Sequence, residues 1–304
     1  NAYFLPGPEP VLVDAGVCGD ATMAVLSAAL GCLGARVSGV RHLLLTHGHV
    51  DHSGSARAIR EASGCDVRLH PRGHGRVTDP AERLAQDLPG YLDFLGRSGF
   101  SQTIIELHGL HAGWHLKYTE PCEDIAASCE GDVVSTGDGR RLRCVETPGH
   151  SGDSVSWWLE DEGVLLTGDH VLPTITSNPT LESVGEDCEP CRRPLVAFRQ
   201  SLRTVAALPI KIACPGHGRP FGDLAGRCAE IEAHQARRCE NVLGRVREAG
   251  APTRKALALL VFGKVPPKEV YLALSEIQAA IGLLEDEGRV RVVADGPIER
   301  IVPV

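Results

Sequence analysis

Five short apolar runs in this 304-residue chain stop at, or within a few residues of, an imidazole or a carboxylate. Val11-Leu12-Val13 ends at Asp14, and His42-Leu43-Leu44-Leu45-Thr46 runs into His47 and His49. Arg141 to Val145 leads into Thr147-Pro148-Gly149-His150, and Val164 to Thr167 ends at Gly168-Asp169-His170. Ile210 to Cys214 ends at Pro215-Gly216-His217. Runs of this length, bounded by Gly, Pro and Asp, read as buried strands. Between them, Ala21 to Leu33 (which Asp20 can cap) and Ser53 to Ala62 carry apolar residues at helical spacing. Strands alternating with helices imply an α/β fold, and residues just past the carboxyl ends of such strands gather along one edge, where ligands bind. Packing alone does not explain so many ligating side chains at strand ends.

Within Thr46-His47-Gly48-His49-Val50-Asp51-His52, the two leading histidines are two apart on an extended segment, so their side chains share one side. Asp51 and His52 come as the chain turns into a helix and are expected to face away from that pair. One loop can then serve two metal ions about 4 Å apart, the separation of two-metal hydrolytic sites, with Asp169 bridging through its two oxygens. Imidazole with carboxylate suits two divalent ions such as Zn²⁺, with Mn²⁺ or Fe also accepted, better than a thiolate-preferring ion. Two such cations make a bound water acidic enough to ionise near neutral pH and polarise an acyl or phosphoryl oxygen. Asp51 and Asp169 are the expected catalytic carboxylates, orienting or deprotonating that water.

Taken together, these motifs resemble the metallo-β-lactamase superfamily, with Thr46 to His52 matching its threonine-led signature and the others following in the same order. The resemblance spans Asp14 to His217 and implies a four-layer αββα sandwich. It also implies one metal on His47, His49 and His150, another on Asp51, His52 and His217, and Asp169 between them. Asp14 resembles the family's early buried aspartate, expected to hold loop amides or orient a ligand histidine. His170, beside the bridge, is expected to be a support of the same kind or a plain loop residue. Gly168-Asp169-His170-Val171-Leu172-Pro173 and the tail are similar to the hydroxyacylglutathione-hydrolase-like subgroup, which includes thioesterases and a single-strand endoribonuclease.

Two excursions interrupt the strand pattern. Residues 76–130 read as loop-rich and helical in places, and residues 171–209 open on Pro173 to Thr180; long excursions between core strands usually form lids or pocket walls. Helical spacing would put His108, His111 and His115 on one face, and with Tyr118 and Asn178 they are the candidate substrate pocket. Cys188-Glu189-Pro190-Cys191 lacks the second pair that a structural zinc site needs. After residue 221 the character changes: helices over Asp223–Ala249, Thr253–Val261 and Pro267–Glu287 precede a hairpin turning at Asp295-Gly296. Three helices and a hairpin are the order of a winged helix, so the expected organisation is a catalytic domain, 1–221, and a small winged-helix-like domain, 222–304.

Charge and cysteine usage narrow the functions. A net charge of −8 disfavours nucleic-acid binding, and the tail from Asp223 onward balances 12 basic against 12 acidic side chains, unlike a phosphate-binding module. No apolar run reaches the roughly 18 residues of a membrane span, and no signal peptide is visible at Asn1. Eleven scattered cysteines fit a reducing cytoplasm better than a disulfide framework. The leading expectation is hydrolysis of a small-molecule or carrier-bound acyl thioester or ester, by a chain that dimerises or packs through its tail. A ribonuclease and an iron-dependent sulfur dioxygenase-like enzyme are the alternatives.

Overall fold

A computed structural model describes residues 1–182 and 193–304. Strands β1 (Tyr3–Leu5), β2 (Val11–Val13), β3 (His42–Leu44), β4 (Asp66–Leu69) and β5 (Ala126–Ala127) form one sheet in that order. Strands β6 (Val133–Ser135), β7 (Arg141–Glu146), β8 (Val155–Leu159), β9 (Val164–Gly168) and β10 (Ile212–Pro215) form the other, in the order β10-β9-β8-β7-β6. The strands β2 through β5 are parallel, as are β9 and β10, and the remaining pairs are antiparallel.

The helices are α1 (Asp20–Cys32), α2 (Val50–Ser53), α3 (Ala56–Ser63), α4 (His74–Thr78), α5 (Pro80–Arg97), α6 (Gln102–His111), α7 (Pro194–Ala206), α8 (Leu224–Ala249), α9 (Arg254–Phe262) and α10 (Val270–Asp286). A hairpin of β11 (Val290–Asp295) and β12 (Ile298–Pro303) ends the chain.

The inner strands β2, β3 and β9 are largely apolar because both of their faces are covered. Val11, Val13 and Leu44 point inward and meet Leu142, Trp157 and Leu166 of the second sheet. Their neighbours Leu12, Leu43 and Leu45 point outward onto Leu30 of α1 and Ile59 of α3. On the far side, Leu165 and Ala213 are covered by Phe198 and Leu202 of α7 and by Leu224, Cys228 and Ile231 at the start of α8. Helix, sheet, sheet, helix: the four-layer αββα order follows from strict alternation along each strand.

Later turns of α8 belong to a different core. Cys239, Val242, Leu243 and Val246 pack with Leu257 of α9, with Ile277, Ile281 and Leu284 of α10, and with Val290 and Ile301 of the hairpin. One helix therefore nails the C-terminal unit to the sandwich. A second joint is made by the excursion, where Leu95 of α5 packs on Val270 and Leu274 of α10.

Three details depart from the sequence-based expectations. Asp20 lies in the first turn of α1, which starts after Gly19 without a side-chain cap, so its carboxylate meets the helix dipole instead. The excursion is more helical than loop-rich, since Asp79 caps Pro80–Arg97 by accepting from the Glu82 amide at 3.0 Å. The run after His49 makes two short helices rather than one. Among the described residues all nine cysteines are free, and no helix is long and apolar enough to cross a membrane. The Cys188–Cys191 pair lies outside the described residues.

Candidate metal centre

Asp14 anchors the edge where the strands end. It follows β2 with φ at 63°, a left-handed conformation that Asp tolerates better than most residues, and so turns its carboxylate under the neighbouring strand. Its Oδ1 accepts from the Thr46 amide at 2.8 Å and its Oδ2 from the Thr46 hydroxyl at 2.9 Å. The same Oδ2 lies 2.8 Å from Nδ1 of His52. One buried carboxylate thus clamps both ends of the histidine run, and leaves Nε2 of His52 facing the edge.

The second sheet delivers the rest. The turn after β7 brings His150, whose Nε2 is 3.0 Å from Nδ1 of His49 and whose Nδ1 faces the Ser177 hydroxyl at 2.6 Å and the Asn178 carbonyl at 2.8 Å. Asp169 follows β9: Oδ1 is 3.3 Å from Nε2 of His52, and Oδ2 is 3.5 Å from Nε2 of His217. His217, after β10, also lies 3.1 Å from Oδ2 of Asp51. Gly216 is required here, because a Cβ would sit 2.3 Å from Oδ1 of Asp169 and 2.7 Å from Cε1 of His52.

Three groups of ligating atoms result, each within 4.8 Å: His47 with His49 and His150, His47 with His52 and Asp169, and Asp51 with His52 and His217. All seven expected ligands are in one cluster, with Asp169 between the two outer groups. One expectation of orientation fails. His52 does not face away from the first pair, since its ring centroid is 4.2 Å from that of His47. The short turn of α2 rotates it back over the strand end, where Asp14 holds it.

Electrostatics fit a cation. Nε2 of His47, Nε2 of His52 and Oδ1 of Asp169 are buried with no hydrogen-bond partner, an arrangement costly to leave unmet. Burial, reinforced by neighbouring imidazoles, holds His47 and His49 well below the ordinary histidine range, so their lone pairs are free to ligate. At His52 burial opposes the charge, but Asp14 and Asp169 outweigh it and raise the pKa to about 10. Burial likewise opposes ionisation of Asp169, yet the nearby His52, His150 and His217 keep its carboxyl below the usual value. The site therefore offers neutral imidazoles at His47 and His49, an ionised carboxylate at Asp169, and a field that holds positive charge at His52, where a cation can replace the proton. That is the donor set of a divalent metal centre.

The remaining candidates divide. Asn178 supports His150 through its backbone carbonyl, and its side chain reaches instead to the Leu272 carbonyl of α10 at 2.9 Å. His115 is half-buried near His49 and Arg76, burial pushing its pKa down. His108 turns towards Tyr91, 3.0 Å away, and the Pro267 backbone, while exposed His111 bonds the Leu107 carbonyl of its own helix. A shared face for the three histidines does not form, because α6 stops at His111 and a 3-10 stretch, Ala112–Tyr118, changes the phase. Tyr118 contributes its backbone carbonyl to the Cys18 amide and its ring to Trp114 and Lys117. His170 is buried on Phe198 with neither ring nitrogen hydrogen-bonded, and burial lowers its pKa to about 3.

Sequence reasoning missed the brace beneath the loop. Asp153 accepts from the Gly48 amide at 2.7 Å, and is held by Arg76 and by the Ser151 hydroxyl. Arg76 also pairs with Glu182 at 2.7 Å. Asp153 stands three residues after His150, but nothing local marks it as the partner of an amide 105 positions away.

Sheet-end imidazoles and carboxylates on an αββα frame define a class of metal-dependent hydrolase. A family model of the metallo-beta-lactamase superfamily matches residues 1–217, and the chain belongs to that superfamily. It is 26% identical over 317 residues to the lactamase-like protein nscB of Aspergillus fumigatus, covering 99% of this chain and 77% of that one. It is 25% identical over 291 residues to the "Probable metallo-hydrolase YqjP" of Bacillus subtilis, covering 94% and 87%. Among solved structures, a metallo-beta-lactamase family protein of Thermus thermophilus superposes with a TM-score of 0.82 at 28% identity, over 100% of this chain and 93% of that one. A beta-lactamase domain protein of Burkholderia ambifaria shares the fold, with a TM-score of 0.79 at 23% identity over 100% and 88%.

Proposed function

We propose that this chain hydrolyses an acyl thioester or a related acyl ester, and that it belongs with the hydroxyacylglutathione-hydrolase-like members of the superfamily. The observation that carries hydrolysis is the meeting of seven ligating side chains, with three buried ligand atoms among them that make no hydrogen bond. His47, His49 and His150 would hold one divalent ion, Asp51, His52 and His217 the other, and Asp169 would face both. Two such ions, with Zn²⁺ the leading choice, supply an acidified water and an electrophile for the acyl oxygen.

The chain's own groups supply the rest. His47 and His52 are buried, whereas Asp51 and His217 are each about half exposed, so substrate enters on the Asp51–His217 side. Asp51 is the carboxylate placed to take a proton from attacking water and pass it to the leaving group or to solvent. Asp14 and the Ser177–Asn178 pair fix His52 and His150 through their Nδ1 atoms, leaving Nε2 directed at the cluster.

Acyl substrates are preferred over RNA because the tail carries no net positive charge. We take residues 222–304 as a winged-helix-like unit, in which Arg238, Arg254, Arg289 and Arg300 are each paired with a carboxylate. A phosphodiester groove needs such cations free. The test is a hydrolase screen with Zn²⁺ or Mn²⁺ over acyl thioesters, lactones, β-lactams and single-stranded RNA. Thioester cleavage lost in His49→Ala is the expected result; cleavage of RNA alone would overturn it.

A further inference from the structure

Between α8, α10 and the segment 176–179 lies a cavity of about 540 Å³. Gln235 of α8 lines it, is only 5% exposed, and has no hydrogen-bond partner at either Oε1 or Nε2. An apolar residue at this position would cost nothing, whereas a buried amide left unpaired is destabilising. Its presence points to something that pairs with it.

The surroundings say what kind of molecule. Arg238, one turn further along α8, is matched by Glu276 and lies over the Phe262 ring at 4.6 Å. At the rim Lys264 and Glu269 carry opposite charges. Ala273, Ala279 and Ala280 make an apolar wall on α10. The charges cancel, so neither an anion nor a cation is selected. What the Gln235 amide lacks is a donor and an acceptor presented together.

We propose that this cavity is a second ligand site, which takes a neutral molecule bearing an amide, paired with Gln235, and an alkyl arm that lies on α10. It is separate from the metal centre. Ser177 and Asn178 form its inner wall and hold Nδ1 of His150 from that side, while Nε2 of His150 faces His49 on the other. Nothing in the assignment depends on which bond the metal centre cleaves.

The test is isothermal titration of the full chain with N-butylhexanamide, with 6-undecanone, which accepts but does not donate and has no bond to hydrolyse, and with hexanoate, which adds a charge. The amide is expected to bind at least about ten-fold more tightly than either, since only it meets both halves of the glutamine. Gln235→Leu should lose about ten-fold or more of that affinity while melting no lower than the parent chain, because it removes an unpaired buried amide. Gln235→Met, of similar length, serves if the leucine variant does not fold. Equal affinities for amide and ketone, no saturable binding, or undiminished binding in the variant would overturn the assignment.

Discussion

His47, His49, His52, His150 and His217 come from strand ends of two sheets, whereas His108, His111 and His115 come from one helical excursion. The first group converges and the second scatters. Strand ends are fixed by ladders running across each sheet, so a loop that leaves from such an end starts from a fixed point. Asp14 and Asp153 remove what is left by holding the Thr46 and Gly48 amides. The excursion has no such frame: its helical phase is lost where α6 gives way to a 3-10 turn. Helical spacing defines a face only while the helix lasts.

The sharpest way to break this contrast is to remove one member from each group. Asp169→Ala or His49→Ala should lower thioester turnover by at least ~10³-fold, since each residue serves a group that acts as a unit. His111→Ala, an exposed change, should stay within about two-fold. Initial rates at fixed Zn²⁺ decide it, and a comparable loss in both groups would erase the distinction.

The next effect tests whether the strand-end group depends on its support. Asp14→Asn keeps a residue that tolerates φ near 63° but removes the charge facing His52. Metal affinity should fall about 10- to 100-fold, the usual consequence of losing a partner behind a ligating histidine. Competition with a chromogenic chelator measures it, and unchanged affinity would make Asp14 purely structural.

A smaller effect should come from α10. The Tyr271 hydroxyl donates to the Leu181 carbonyl at 2.6 Å, and Ser275 accepts from the Leu181 amide at 3.2 Å. The C-terminal unit thereby braces the segment that holds His150 and leads to Glu182. Tyr271→Phe should cost about 1 kcal/mol, the net worth of one hydrogen bond, and reduce turnover several-fold with metal content intact. Melting temperature and kcat together report it. Unchanged kcat would confine the brace to stability.

The strand-end group was legible because its members follow apolar runs directly, so a pattern of period and punctuation put them on one edge before any contact was known. The alternation of strands and helices was legible for the same reason, whereas the four-layer order was implied only by the resemblance to a known family. Asp153 and Arg76 were not, since an aspartate in a loop and an arginine in an excursion acquire meaning only when the second sheet folds over the first. The turn of His52 back towards His47 was missed because it depends on a four-residue helix, too short for any periodic signal.

His115 sits between the two groups and gives the finest test. It arises from the excursion, yet lies near enough to His49 and Arg76 to feel both, and burial keeps it neutral. It has no strand end behind it, so it should touch substrate without holding metal. His115→Ala is then expected to raise KM for a thioester about three- to ten-fold with kcat within about two-fold, the signature of binding lost equally in ground and transition states. Metal content by elemental analysis should not change. Loss of metal would move His115 into the strand-end group and show that the excursion completes the centre. No change in KM would place it with His111, and leave substrate contact to the Asp51–His217 side alone.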